Sequence, residues 1–505
     1  MDDLFCGHKS SSTSVGCVPR LLISAAHKSS GKTTITLGLC AALRARGLVI
    51  APFKKGPDYI DPLWLARASG RSCYNLDPYL MPVGSMLSLF TRKSIGADIA
   101  IVEGNKGLYD GLALDGSNCN AAVAATLDLP VLLVIDARGM TRGIAPLILG
   151  YQAFDRRIRI AGVILNRVSG TRHEAKLRAA ITHYTDVPVV GAVYEDESIA
   201  MIERHLGLIP DNESEGADEI VGRIGSRIAQ QVDLDQVLLI SGAAFNEESC
   251  RYSEPLRPGT FLPSDGPTHA STARLRIGVA MDRAFGFYYC DDLEALSDAG
   301  AVLVPFDAVC DRQLPVIDAL FIGGGFPETC APDLEANWLL RAQIRQAIKS
   351  GLPTYAECGG LMYLARSLEV DGKRYAMVGA LPGDVKMHRR PIGRGYVELE
   401  MTGAAPFSVT AGSEASIRAH EFHYSSMTGL PANTRFAYRV LRGHGIDGEH
   451  DGIVQGNTLA SYSHLRNGAG SDWAKRFVQF ANRIAAARIN KSIVNETSTE
   501  WSLAQ

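Results

Sequence analysis

The chain has 505 residues, of which 46% are hydrophobic and 21% charged, values of an ordinary folded protein with room for large cores. Lys and Arg total 51 against 54 Asp and Glu, and the net charge of −3 excludes a global basic field for nucleic acid. No run reaches the roughly 18 uninterrupted apolar residues of a membrane-spanning helix, and Met1-Asp2-Asp3 opens no basic or apolar leader, so a cytoplasmic location is expected.

Residues 1–19 carry no hydrophobic period and are expected to form a disordered tail. From Leu21 short apolar runs alternate with helical patterns. Strands are predicted at Leu21–Ala25, Leu48–Phe53, Ile99–Glu103, Val131–Asp136, Ile160–Leu165 and Val187–Val193, with a helix over Thr33–Arg46 closed by Gly47. This alternation predicts a parallel sheet covered on both faces over residues 20–240. Residues 241–274 lose the period and gather Pro255, Pro258, Pro263 and Pro267, which marks a linker. A second strand–helix series starts near Leu275, with strands predicted at Arg276–Met281, Val302–Pro305, Ala319–Ile322 and Pro353–Ala356. It is expected to end at residue 488, before a frayed tail over 489–505. The ten cysteines include no C-x-x-C pair, which argues against zinc-ribbon and thioredoxin-type sites and fits a reducing compartment.

The stretch from Ser24 to Thr34 follows a strand and opens a helix, and Gly31-Lys32-Thr33 reads as the end of a phosphate-binding loop. Backbone N–H groups from Ser29 to Thr34 would cradle phosphates, Lys32 would reach the outer ones, and Thr33 would ligate Mg²⁺. Two further loops follow strands at the sheet edge where open parallel sheets bind ligands. One runs from Lys54 through Asp58, Tyr59 and Asp61; the other runs from Glu103 to Gly111. Glu103 at a strand end is a second candidate for Mg²⁺. Asp58 and Asp110 are candidates for metal or substrate, against the plainer role of fixing turns. Asn166 ends another strand and is a candidate for an adenine edge or for a capping role.

A second site centres on Cys358, between a short strand and a helical pattern and followed by Gly359-Gly360. The helix N-terminus is expected to lower the thiol pKa. His464 is the candidate base. Gly323-Gly324-Gly325 ends another strand, and the N–H groups of Gly324 and Gly325 are candidates for an oxyanion hole. His420-Glu421-Phe422-His423 has H-x-x-H spacing without an evident third ligand and is read as a structural polar network.

With both sites in view, the sequence resembles the cobyrinate a,c-diamide synthase family from about Leu21 to about Ile484. The resemblance rests on Gly56-Pro57-Asp58-Tyr59-Ile60-Asp61-Pro62, Glu103-Gly104 with Gly107-Leu108-Tyr109-Asp110-Gly111, Ala284–Tyr289 and Arg418–Ser425. It implies an α/β fold in two parts. The first is a P-loop, dethiobiotin-synthetase-like parallel-sheet domain, and the second a class I glutamine amidotransferase domain of the Triad type. It implies amidation of the a and c acetates of a tetrapyrrole, using ATP, Mg²⁺ and L-glutamine. Cys358 is implied as glutaminase nucleophile and His464 as its base. Ser30 to Thr34 are implied at the ATP phosphates, Thr33 and Glu103 at the metal, Asp58, Tyr59 and Asp110 at the carboxylate, and Asn166 at adenine.

Three departures stand out. Ser29 replaces a usual glycine. Arg466 occupies the position two after the histidine where class I glutaminases carry a glutamate. Asn105-Lys106 replaces apolar residues, and Lys106 beside a polycarboxylate resembles relatives that amidate sirohydrochlorin or sirohaem, including the kind associated with dissimilatory sulfite reductase. A ParA/MinD-like ATPase switch is the alternative of another class; His27 stands where those proteins carry a signature lysine, and Cys358 and His464 have no place in them. Neither nucleic acid nor a membrane is an expected partner, and a homodimer is the assembly considered.

Overall fold

The computed structural model describes residues 18–199, 201, 203–204, 207–214, 216–242, 274–407, 416–468 and 471–503. The expected N-terminal tail, but for its last two residues, and nearly all of the expected linker lie outside them. The first half is a sheet of seven parallel strands: β1 (Arg20–Ala25), β2 (Ile50–Lys55), β3 (Tyr74–Leu76), β4 (Ile99–Glu103), β5 (Val131–Asp136), β6 (Ile160–Val168) and β7 (Val189–Tyr194). Their spatial order is β3-β2-β4-β1-β5-β6-β7. The chain leaves β1 toward one edge and later returns to its other side, so β1 is the point where the winding reverses and a ligand crevice opens.

Residue alternation along β1 feeds two cores. Leu21, Ile23 and Ala25 face one apolar cluster, which holds α1 (Lys32–Ala45) and α2 (Ile60–Ser69); Leu22 faces the other, with α3 (Val83–Ser94), α4 (Asn120–Leu127), α5 (Ile144–Phe154) and α6 (Thr171–Tyr184). A short hairpin, β8 (Glu203–Arg204) and β9 (Gly207–Leu208), precedes α7 (Ala217–Gln231) and α8 (Leu234–Ser241), which join the first cluster. Strands buried on both faces give the near-continuous apolar runs seen in the sequence. The three-residue β3 gives no such run, and only its pairing with β2 makes it a strand.

The second half has thirteen strands: β10 (Arg276–Ala280), β11 (Val302–Phe306), β12 (Ala319–Ile322), β13 (Thr354–Glu357), β14 (Ser367–Val370), β15 (Lys373–Ala376), β16 (Asp384–Met387), β17 (Gly393–Met401), β18 (Ile417–His423), β19 (Ser425–Thr428), β20 (Arg435–Arg442), β21 (His450–Gln455) and β22 (Thr458–Ser461). Nine of them form one sheet in the order β11-β10-β12-β13-β22-β21-β20-β17-β18. It is parallel from β11 to β22 and antiparallel beyond. A smaller sheet, β15-β14-β16-β19, flanks it. Helices α9 (Cys290–Asp298) and α13 (Trp473–Leu503) cover one face, and α10 (Ala331–Ala336), α11 (Trp338–Lys349) and α12 (Gly359–Leu364) the other. Where the sequence reading ends the fold at residue 488, α13 runs on to Leu503; the stretch from Asn490 contains no Gly or Pro to stop it. Among the described residues no helix is long and apolar enough to cross a membrane.

Candidate active sites at the interface of the two halves

The loop between β1 and α1 turns through two left-handed residues, Ser29 (φ 62°) and Gly31 (φ 84°). A Cβ on Gly31 would come within 2.2 Å of Asn166 Nδ2, so the position requires glycine. Asn166 is buried at the end of β6 and donates from Nδ2 to Ser30 O at 2.8 Å, which ties that strand to the loop. Thr33 Oγ1 donates to Glu103 Oε1 at 2.7 Å, and Thr34 follows it in the first turn of α1.

The sheet order places β2 and β4 beside β1, and their ends bring a charge cluster to this crevice. Lys54 Nζ donates to Glu103 Oε1 at 2.9 Å, pairs with Asp61, and lies 4.0 Å from Asp58 Oδ2. Burial works against the charged lysine, but the three carboxylates outweigh it and hold its pKa above the usual lysine value. The sequence places Lys54 and Asp61 in this loop without a role for either; their roles emerge only when β2 meets β4. Asp58 Oδ1 accepts from the N–H groups of Ile60 (2.9 Å) and Asp61 (3.0 Å), so it also fixes the turn into α2. Burial, with the charge of Asp61, pushes the Asp58 carboxyl up to about 7. Burial, with the charge of Lys54, lowers the Lys32 ammonium to about 8.

Glu103 Oε2 is fully buried and has no hydrogen-bond partner among the described residues. An orphaned carboxylate oxygen beside the Thr33 hydroxyl suits a hard divalent cation. Among the described residues no group of three or more His, Cys, Asp or Glu is arranged to hold a metal by itself, so such an ion needs ligand oxygens to complete its shell. Lys106 (φ 48°) and Asp110 lie exposed on the following loop, where Asp110 Oδ2 accepts from Gly107 N at 3.1 Å.

In the second half Cys358 adopts φ 46° and ψ −102° between β13 and α12, a strained turn. Here one expectation is corrected. The thiol pKa is not lowered: burial foremost, with the charge of Glu328, holds it well above the usual cysteine value. The helix it opens has only six residues, too short for its dipole to offset that desolvation. The glycine loop packs directly on this turn. A Cβ on Gly359 would lie 2.9 Å from Gly325 N, and one on Gly360 would lie 2.2 Å from Ile322 O. Gly323 N donates to Tyr288 Oη at 2.9 Å, whereas Gly324 sits under His464, whose Cε1 would be 2.6 Å from a Cβ there.

His464 Nδ1 lies 3.2 Å from Glu357 Oε2. Glu357 is buried and also accepts from Tyr355 Oη and from Leu465 N (2.9 Å). A carboxylate therefore stands at His464 although Arg466 occupies the position two after it, and it comes from the residue before Cys358. Register explains this: β13 pairs with β22 at Glu357↔Ser461, so both strands end together. Sequence reasoning missed Glu357 because nothing in the spacing links it to a histidine 107 positions away.

Arg466 turns the other way. It is buried, donates to Asp291 Oδ2 at 2.7 Å, and reaches across to Asn75 O at 2.8 Å in the first half. Asn75 Nδ2 in turn holds the carbonyls of Gly56 (2.8 Å) and Asp58 (2.7 Å). Tyr59 makes its ring contacts with the second half. It is buried between the halves, stacked on Phe287 at 5.4 Å and with its ring 5.1 Å from that of His464. His420 stacks on His464 at 4.8 Å, and burial lowers its pKa well below the usual imidazole value. His423 stacks on Tyr462, and Glu421 accepts from the N–H groups of His444 and Gly445, so the H-x-x-H run forms structural contacts.

Residues 22–209 match the family described as the CobQ/CobB/MinD/ParA nucleotide binding domain, and residues 276–470 match the CobB/CobQ-like glutamine amidotransferase domain. Over 469 residues the chain is 45% identical to a cobyrinate a,c-diamide synthase of Magnetococcus marinus, covering 92% of this chain and 97% of that one. It is 43% identical over 504 residues to one of Methanosarcina acetivorans, covering 95% and 99%. One from Archaeoglobus fulgidus is 40% identical over 465 residues, covering 92% and 98%. A solved glutamine amidotransferase superposes on 41% of this chain and 98% of its own, with a TM-score of 0.30 and 19% identity.

Proposed function

The chain belongs to the cobyrinate a,c-diamide synthase family, and on that premise we propose that it amidates the a and c acetates of a tetrapyrrole, using ATP and the amide nitrogen of glutamine. The observation that carries the reading is the apposition of the two sites: Tyr59, two places before Asp61 of the charge cluster, rests its ring against the glutaminase histidine.

A carboxylate has no good leaving group, and ammonia at neutral pH is mostly protonated. Each half answers one difficulty. In the first, the loop amides from Ser29 to Thr34 and Lys32 hold the ATP phosphates, with Asn166 bracing the loop next to the adenine side. Thr33 and Glu103 would hold Mg²⁺, with Asp58 beside them, and that ion supplies charge neutralisation on the phosphates. Lys54, with Asp58, Asp110 and Lys106 around the rim, orients the substrate carboxylate. Its oxygen attacks the γ-phosphorus, ADP leaves, and an acyl phosphate results. In the second half His464, held through Nδ1 by Glu357, takes the proton of Cys358 as the thiol attacks the glutamine carboxamide. The N–H groups of Gly324 and Gly325 face the oxyanion. Ammonia leaves, and water later hydrolyses the thioester to glutamate. The ammonia attacks the acyl carbon and phosphate departs, giving the amide; a second round gives the diamide.

The test is Cys358→Ala assayed with each nitrogen source. Glutamine-dependent amidation should vanish while ammonia-dependent amidation persists; equal loss of both would sink the two-site reading. Sirohydrochlorin or sirohaem is the alternative acceptor, supported by the exposed Lys106 where corrin-specific members carry an apolar residue.

A further inference from the structure

A cleft of 370 Å³ opens between the halves at the carboxyl ends of β3 and β4, on the rim that also carries Glu103. Tyr79 follows β3, and Leu112, Ala113 and Asn118 come from the loop after β4; Arg418 of β18 and Arg442 of β20 form the opposite wall. The loop is built to hold its shape. Asn118 Oδ1 accepts from Leu112 N at 2.7 Å and Ala113 N at 3.2 Å. Yet it presents apolar surface to solvent: Leu112 is 48% exposed and Leu114 fully so.

The arginines stand in register on either side of Glu398 of β17, and both are exposed. Arg418 Nη1 donates to Tyr79 O at 3.3 Å, and its guanidinium lies 5.1 Å over the Tyr79 ring, which rests on Tyr396 at 4.3 Å. Among the described residues neither guanidinium forms an ion pair, and that of Arg442 forms no hydrogen bond. Two guanidinium groups facing one cleft, neither in an ion pair among the described residues although Glu398 stands in register between them, and opposite the exposed Leu112, match a flat apolar ring edged with carboxylates. Planar, always-charged donors suit such carboxylates better than lysines do.

We propose that Arg418 and Arg442 form an anchoring subsite for macrocycle carboxylates other than the one being activated at Lys54, with Leu112 against the ring. The inference rests on the polycarboxylate tetrapyrrole reading of the acceptor. An acceptor with many near-equivalent carboxylates must be held at a distance from the reacting one if a particular side chain is to be selected, and this cleft is placed to do so.

The test is equilibrium binding of cobyrinate and of sirohydrochlorin to the full chain, followed by absorbance, in wild type, Arg418→Ala, Arg442→Ala and Arg442→Lys. Arg442→Ala should raise the tetrapyrrole Kd about tenfold, the size of one lost charged hydrogen bond. Arg442→Lys should recover only part of that, and affinity for a non-hydrolysable ATP analogue should stay at the wild-type value. Arg418→Ala removes a contact to Tyr79 and tests the subsite less cleanly; Arg442 has no such structural bond. Unchanged tetrapyrrole affinity in Arg442→Ala would overturn the subsite while leaving the acceptor reading intact. A wild type that binds neither macrocycle would overturn the acceptor reading, and the subsite with it.

Discussion

Lys32 is caught between burial and use. Its folded pKa of about 8 lies below the ordinary lysine value, so the charged ammonium is penalised in the ligand-free fold. That penalty is complete below about pH 8 and fades as pH rises toward 10.5, where the unfolded chain also loses the proton. Lys32→Met should therefore stabilise the ligand-free protein by about 1–3 kcal/mol at pH 7, with the advantage shrinking in alkali, and should abolish ATP-dependent amidation. Thermal unfolding against pH without nucleotide checks the first part. Glu357→Gln keeps a hydrogen-bonding side chain beside His464 but removes the charge that supports its imidazolium. Glutamine-dependent amidation should fall about 10²-fold, while amidation from ammonia stays near wild type; steady-state rates with the two nitrogen sources measure this. At this scale the sequence located the strand-to-helix turns at Lys32 and Cys358, because glycines mark them. It was unreadable where a role depends on a partner from another strand, as with Glu357 at His464 or Lys54 at Glu103. The thiol pKa misled because a helix start shows in sequence, whereas the burial of Cys358 does not.

The elements that join the halves are loops pinned by single side chains. Arg466 links the segment carrying His464 to Asn75, and Asn75 holds the turn that carries Asp58. Among the described residues Asp291 Oδ1 is already buried without a hydrogen-bond partner, so Arg466→Met would leave that carboxylate buried and uncompensated. Such a loss costs about 3–5 kcal/mol, and a lowered denaturant midpoint should show it. Asn75→Ala frees two buried carbonyls and should slow amidation more than glutamine hydrolysis, a ratio read by assaying both products; equal slowing would mean that Asn75 does not act through the Asp58 turn. The parallel strands of the first sheet were legible because burial on both faces makes them continuous apolar runs. The antiparallel part of the second sheet was not, because charged residues interrupt β17, β18 and β20 and leave them no continuous apolar run. The end of α13 was missed because a polar composition was read as fraying although no breaker residue was present.

At the scale of the molecule, two α/β bodies meet with Tyr59 of the first against His464 of the second. The rings of Phe287 and Tyr289, from the second half, pack into the apolar cluster of the first. Composition could show only that two large cores were affordable; the order of motifs along the chain separated the halves, and the meeting of Tyr59 with His464 could not be read from either alone. The central claim is that one chain converts glutamine nitrogen and ATP into amides on a tetrapyrrole. Its most direct test is to incubate the purified protein with ATP, Mg²⁺ and glutamine against cobyrinate, hydrogenobyrinate, sirohydrochlorin and sirohaem, and to weigh the products. The account predicts replacement of OH by NH₂ on two side chains of one of these macrocycles, dependent on ATP and on Cys358. No amidation of any of the four would contradict it.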